Sequence, residues 1–95
     1  MTAAVATANC LQSLLVGIRK RLTPQELGVE VGPRQSAGPG VSQEQVARAL
    51  GISLRHYSGL ETGSKRPSLR LLASMTRVMV MSEEERAVVL DSLLD

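Results

Sequence analysis

The chain has 95 residues, enough for one domain built round one modest core. A single Tyr and no Phe or Trp mean that the core is aliphatic, which suits short helices and argues against a β-sandwich. The net charge is only +2, yet residues 1–81 hold ten of the eleven basic and four of the nine acidic residues (+6), and residues 82–95 stand at −4, the balance of a body that faces phosphate and turns its C-terminal end elsewhere.

Residues 1–7 read as a flexible start. Met1 to Gln12 is rich in Ala and Thr and lacks the basic n-region of a secretory signal, and no apolar run approaches the length of a membrane span. Cys10, the single cysteine, can form neither an intrachain disulfide nor a metal cluster. These features point to a bacterial cytoplasmic protein with no membrane contact, no metal and no cofactor. Leu11, Leu14, Leu15, Ile18 and Leu22 recur at helical spacing and predict a first helix over about residues 8–22. Thr23-Pro24 either ends it or starts a short extra turn through Gln25-Glu26-Leu27. Residues 28–40, GVEVGPRQSAGPG, are too dense in Gly and Pro for a helix or a central strand. They predict a long surface loop, which inside a compact domain signals function or disorder.

Ser42 with Gln45 three residues on is a capping-box start, and the second helix runs to about Leu50. Ala47 is small enough for a following helix to cross closely. Gly51 can take a left-handed backbone after the helix end, and Ser53 can cap the third helix, Leu54 to about Thr62. Val46, Leu50, Ile52, Tyr57 and Leu60 supply the apolar positions. Two short helices about such a break form a helix-turn-helix, which presents the start of its second helix to a DNA major groove. Pro67-Ser68 begins a fourth helix, with Leu69, Leu72, Ala73, Thr76 and Met79 or Val80 inward. Ser82 with Glu85 is a second capping box, and Glu83 and Glu84 suit the dipole of a fifth helix. That helix carries Val88, Val89, Leu90, Leu93 and Leu94, more apolar surface than one face of a ~12-residue helix needs for its own core. The excess is suited to a partner chain. The expected fold is all-α, five helices over residues 8–95.

Val41 to Ser68, VSQEQVARALGISLRHYSGLETGSKRPS, resembles the Cro/lambda-repressor-type (XRE) helix-turn-helix family. The ending Leu60-Glu61-Thr62-Gly63-Ser64-Lys65-Arg66-Pro67-Ser68 matches the family's hydrophobe-E-x-G-x-x-x-P-S pattern. Upstream, Ile18-Arg19-Lys20-Arg21-Leu22-Thr23-Pro24-Gln25-Glu26-Leu27-Gly28 followed by the Gly/Pro-rich loop is similar to MmyB-like actinobacterial regulators, as is the start Ser82-Glu83-Glu84-Glu85-Arg86. The resemblance implies a five-helix lambda-repressor-like domain, with that loop between helices 1 and 2. It implies a sequence-specific regulator of transcription that binds double-stranded DNA, with the third helix in the major groove. It also implies that Gln43 bonds a phosphate and that Arg19 and Glu61 form a buried structural ion pair.

Within this frame Leu54, Arg55, His56, Ser58 and Gly59 are the candidate base readers. Arg55 in the first turn suits a bidentate contact to guanine, and Leu54 suits a thymine methyl. Gly59 would let the backbones approach, and Tyr57 faces inward with its hydroxyl reaching toward phosphate. Ser42, Gln43, Lys65, Arg66 and Arg34 are the candidate phosphate contacts, which position the protein without specifying sequence. Lys20 and Arg21 are further basic groups within reach of phosphate. MmyB-like relatives carry several Arg residues in the loop, whereas this chain has Arg34 alone. The competing reading is a helix-turn-helix-shaped module that binds protein, RNA polymerase or a toxin, without reading DNA; Leu54, Gly59 and the low net charge favour it. One His, one Cys and no clustered carboxylates with a second catalytic group argue against an enzyme. A homodimer through the last helix, on an inverted-repeat site, is expected.

Overall fold

A computed structural model of the chain describes residues 3–93, with side chains from Leu11 onward. Leu94 therefore lies outside the described residues. Among the described residues six helices follow one another: α1 (Ala3–Arg21), α2 (Pro24–Leu27), α3 (Gln43–Leu50), α4 (Leu54–Thr62), α5 (Leu69–Val78) and α6 (Glu83–Leu93). Among the described residues there is no strand, and no helix is long and apolar enough to cross a membrane.

Local capping chemistry sets most of these boundaries. Ser42 Oγ accepts from Gln45 N while Ser42 N donates to Gln45 Oε1, so the expected box closes at the start of α3. At its end Gly51 adopts φ 73°, with Gly51 N donating to Arg48 O and Ile52 N to Ala47 O. These paired bonds form a Schellman cap, which uses up carbonyls that would otherwise be left free. Ser53 then caps α4 through His56 N at 3.0 Å, Ser68 caps α5 through Leu71 N, and Ser82 and Glu85 make their box ahead of α6.

Three details differ from the sequence expectation. The count is six helices rather than five, because Thr23 and Glu26 close a capping box of their own and Pro24 sits in its first turn, making Pro24–Leu27 a separate helix. The first helix starts at Ala3, ahead of the residue-8 start read from the leucine spacing. The inward face of α5 is Leu72, Met75 and Met79, whereas Leu69, Ala73 and Val80 are exposed. Flexible methionines fill the space there.

The core joins Leu15, Ile18 and Leu22 of α1 to Val46 and Ala47 of α3, Tyr57 and Leu60 of α4, the inward face of α5, and Val89 of α6. Ala47 is buried where α4 packs on α3. This packing holds α4 rigidly against the body with its other face outward. α6 packs against α1, and Arg21 pins the two by its salt bridge to Glu85. Glu85 serves both the cap and the bridge.

Candidate functional site

The outward face of α4 follows from the turn that precedes it. With about 100° per residue, burying Tyr57 and Leu60 leaves Leu54, Arg55, Ser58 and Thr62 on the opposite side. These four line one open groove with Gln43 from the start of α3 and Ser64 and Lys65 from the segment after α4. Leu54 is 46 % exposed, an apolar group held in solvent at the head of the helix. Among the described residues, the charged ones lining the groove are Arg55 and Lys65, both basic.

Gly59 lies in the same stretch but is buried. The chain leaves α4 by turning back over it: Gly63 N and Lys65 N both donate to Gly59 O, at 2.9 and 3.1 Å. A Cβ at this position would lie 2.3 Å from Lys65 Cγ and 3.1 Å from both Lys65 Cβ and Ser64 Oγ. The missing side chain makes room for the chain's own return, and Gly59 also lines the groove beside Ser58 and Thr62. Gly59→Ala should destabilise the fold by about 1–3 kcal/mol through that overlap, although Ala favours helix by roughly 1 kcal/mol. A urea unfolding midpoint at or above the parent value would show that the Lys65 stem moves aside freely.

Behind the groove, Arg19 and Glu61 form the expected pair. Arg19 Nε donates to Glu61 Oε2 at 2.7 Å and Nη2 to Oε1 at 3.2 Å, while Nη1 reaches Val41 O. Glu61 keeps only 5 % of its side chain exposed and Arg19 20 %. Gln43 Nε2 also donates to Glu61 Oε1, at 2.8 Å. The phosphate-binding side chain implied for Gln43 is thus oriented by the ion pair and has one N–H committed to it. Burial is the largest influence on Glu61 and alone would raise its pKa. The hydrogen bonds from Arg19 and Gln43, with the Tyr57 hydroxyl nearby, outweigh it and hold the carboxyl below its ordinary value. The hydrogen bond to Glu61 raises Arg19.

Tyr57 is fully enclosed, and its hydroxyl, close to this pair, has no partner in hydrogen-bond geometry. It does not extend outward, which corrects the expectation of a reach toward phosphate. Burial first, and the Glu61 carboxylate second, push its pKa far up, so it stays neutral.

The Gly/Pro-rich loop is tied down by one side-chain pair. Gln35 Nε2 donates to Gln45 Oε1 at 2.8 Å and Gln45 Nε2 to Gln35 Oε1 at 2.7 Å. The remaining N–H groups go to Gly40 O and Glu30 O, and the two oxygens also accept from Gly32 N and Ser42 N. Each amide thus uses two donors and two acceptor positions, the full complement of the side chain. Since Gln45 is also the N3 residue of the cap, the loop is fixed to the very start of α3. Gln35 is not legible in the sequence, since it has no periodic position and its partner is a long-range one.

The other candidate residues divide. His56 stands apart from the groove: it is half-buried and lies about 200° round the helix from Leu54. Ser42 and Arg34 line a second groove with Arg48, Glu30 and Glu44, where the charges balance. Arg66 is exposed and lines neither groove. Thr62 and Ser64 belong to the first groove and were missed; Thr62 was within reach of the periodicity, two turns beyond Leu54. Among the described residues no group of three or more His, Cys, Asp or Glu could hold a metal ion.

A protein-family model described as a helix-turn-helix domain matches residues 18–89, about three quarters of the chain. No curated protein matches, and no solved structure matches.

Proposed function

Because the chain belongs to the helix-turn-helix domain family and has an all-α, lambda-repressor-like fold, we propose that it is a sequence-specific regulator of transcription that reads double-stranded DNA with α4. The observation that carries this reading is the groove. A rigidly backed helix presents an Arg and an exposed Leu in its first turn, and no acidic residue lines their surroundings. That is the equipment for bonding a base edge and covering a methyl group in the major groove. Lys65 supplies phosphate attraction. Gln43 retains a second N–H to donate to a phosphate at the groove edge, its side chain oriented by Glu61. Ser42, Arg34 and Arg66 are secondary phosphate contacts in this reading.

The finer placement is with MmyB-like regulators, supported by the Arg19-Lys20-Arg21 run, the Thr23–Leu27 turn and the loop that follows. The protein would then work in the bacterial cytoplasm, on the nucleoid, as a homodimer on an inverted repeat. Selection from random duplexes tests the reading. A recovered motif should bind roughly 10³-fold or more better than scrambled DNA, with affinity falling as salt rises. Absence of enrichment, together with salt-independent capture of RNA polymerase or a toxin, would replace DNA reading by protein binding through the same Leu54 surface.

A further inference from the structure

The outer surface of α5 and α6 carries a cavity that neither the core nor the α4 groove uses. Between the two helices runs a groove of about 240 Å³, with walls of Leu69, Leu72 and Ala73 from α5 and Val89, Leu90 and Leu93 from α6. Leu72 and Val89 form its buried floor, while Leu69 is 71 % and Leu90 59 % exposed. Thr76 and Arg86 complete the lining. A short turn at residues 79–82 joins the helices, so they run antiparallel along the groove. Thr76 and Arg86, each nearest the turn on its own helix, therefore mark one end, and Leu69 and Leu93 the other. At a rise of about 1.5 Å per residue, Thr76 and Leu69 stand roughly 10 Å apart along α5. Arg86 is the one charged residue lining the groove. It is exposed, and among the described residues it belongs to no salt bridge. Thr76 Oγ1 donates to Ala73 O at 2.8 Å, which leaves the Arg86 guanidinium as the side-chain donor for a ligand. Glu83 and Asp91 of α6 are exposed but do not line the groove, and α5 has two exposed Arg residues, Arg70 and Arg77, and no acidic one.

We propose that this groove binds a small apolar carboxylate, with the carboxylate on Arg86 and the hydrocarbon lying along Leu72, Val89 and Leu90 toward Leu69. The proposal goes beyond the DNA reading and does not depend on it. Ligand sites are mostly apolar, with a few polar groups that fix orientation, and here one end is polar and the rest is aliphatic. A guanidinium donates two parallel N–H bonds to a carboxylate, so the charge at the turn end selects both the sign and the direction of the ligand. The volume lies just under the roughly 300 Å³ at which such sites begin, which fits a short chain and not a long lipid. The same lining disfavours other occupants. A cation meets Arg86, and a sugar or nucleotide loses its hydrogen bonds to water against leucine walls that return only one donor. A helix from another protein, about 10–12 Å across, rests on the exposed leucines without entering the groove.

The experiment is a titration of the whole chain with hexanoate at neutral pH, followed by amide NMR spectra, with 1-hexanol as the uncharged counterpart. Circular dichroism confirms that each variant is helical. Hexanoate should give saturable shifts at the residues lining the groove, and 1-hexanol should bind at least about tenfold more weakly. From butanoate to hexanoate the affinity should rise about threefold to fourfold for each methylene added. Arg86→Gln should bring hexanoate down to the level of 1-hexanol and leave 1-hexanol unchanged. Ala73→Leu, which fills the groove, should weaken both. Hexanoate should also raise the melting temperature of the parent, since it binds the folded chain, and should not raise that of Arg86→Gln. Shifts that do not saturate or that fall outside the groove overturn the site. So does 1-hexanol binding as tightly as hexanoate, or Arg86→Gln binding hexanoate like the parent. Groove shifts that follow protein concentration without any ligand, and that hexanoate does not displace, overturn it as well and give the face to a protein contact.

Discussion

Glu61→Ala should destabilise the domain by about 3 kcal/mol, the low end for breaking a buried ion pair, because Arg19 keeps a fifth of its side chain in solvent. Truncation leaves the Arg19 guanidinium with only the Val41 carbonyl and takes the acceptor from Gln43 Nε2. Arg19→Ala should cost a similar amount, leaving a carboxylate enclosed with Gln43 as its remaining hydrogen-bond donor. The double variant should lose clearly less than the sum, since each single change already removes the shared interaction. Urea unfolding of the three variants measures this, and additivity within about 0.5 kcal/mol would mean that the two are not coupled. The carboxyl also gives the pair a pH signature. Its folded pKa is lowered from the ordinary 4.5, so its contribution is whole above about pH 4.5 and is lost as pH falls through the folded value. Arg19 stays charged throughout. Glu61→Gln should therefore flatten part of the acid-induced loss seen in the parent; an unchanged acid profile would place the titration elsewhere.

How much of this was legible depended on whether the determining contact was local. The boundaries of α3, α4 and α6 rest on groups within four residues of one another: Ser42 with Gln45, Gly51 with Arg48 and Ala47, Ser53 with His56, Ser82 with Glu85. Sequence spacing carries that information directly. The Arg19–Glu61 pair spans 42 positions and no local rule reaches so far; it was expected only because the chain resembles a known family. The contacts that neither route supplied are also long-range. Gln35 and Gln45 meet because the loop folds back, Arg21 meets Glu85 because α6 lies along α1, and Gly59 is covered because Lys65 returns across it. The inward face of α5 is ambiguous in the sequence for another reason. Leu, Ala and Thr at one spacing and Leu and Met at another are both credible stripes, and the choice belongs to the neighbouring helices. The unused stripe, with Leu69 and Ala73, is the one left on the surface.

Arg55→Ala should remove most of the preference for the selected DNA site while leaving binding to random duplex nearly intact. Arg55 stands in the first turn of α4 on the face that lines the groove, exposed and next to Leu54. A guanidinium there can donate to both O6 and N7 of one guanine, which is worth roughly 1–3 kcal/mol of discrimination. That corresponds to about 5- to 150-fold in the ratio of specific to nonspecific affinity. Lys65 and the phosphate contacts remain, so the nonspecific constant and its salt slope should hardly move. Lys65→Ala should do the opposite, weakening both duplexes alike and reducing the salt slope by about 1. The contrast separates a reader from a clamp. Were Arg55 gripping phosphate, its loss would follow the Lys65 pattern, with the discrimination ratio unchanged. Arg55→Lys sharpens the distinction. It keeps the charge but replaces a planar fork by a single ammonium, which serves a phosphate well and matches two acceptors on one base poorly. A reading Arg should lose preference on that change almost as it does on truncation, whereas a clamping Arg should keep its affinity for both duplexes.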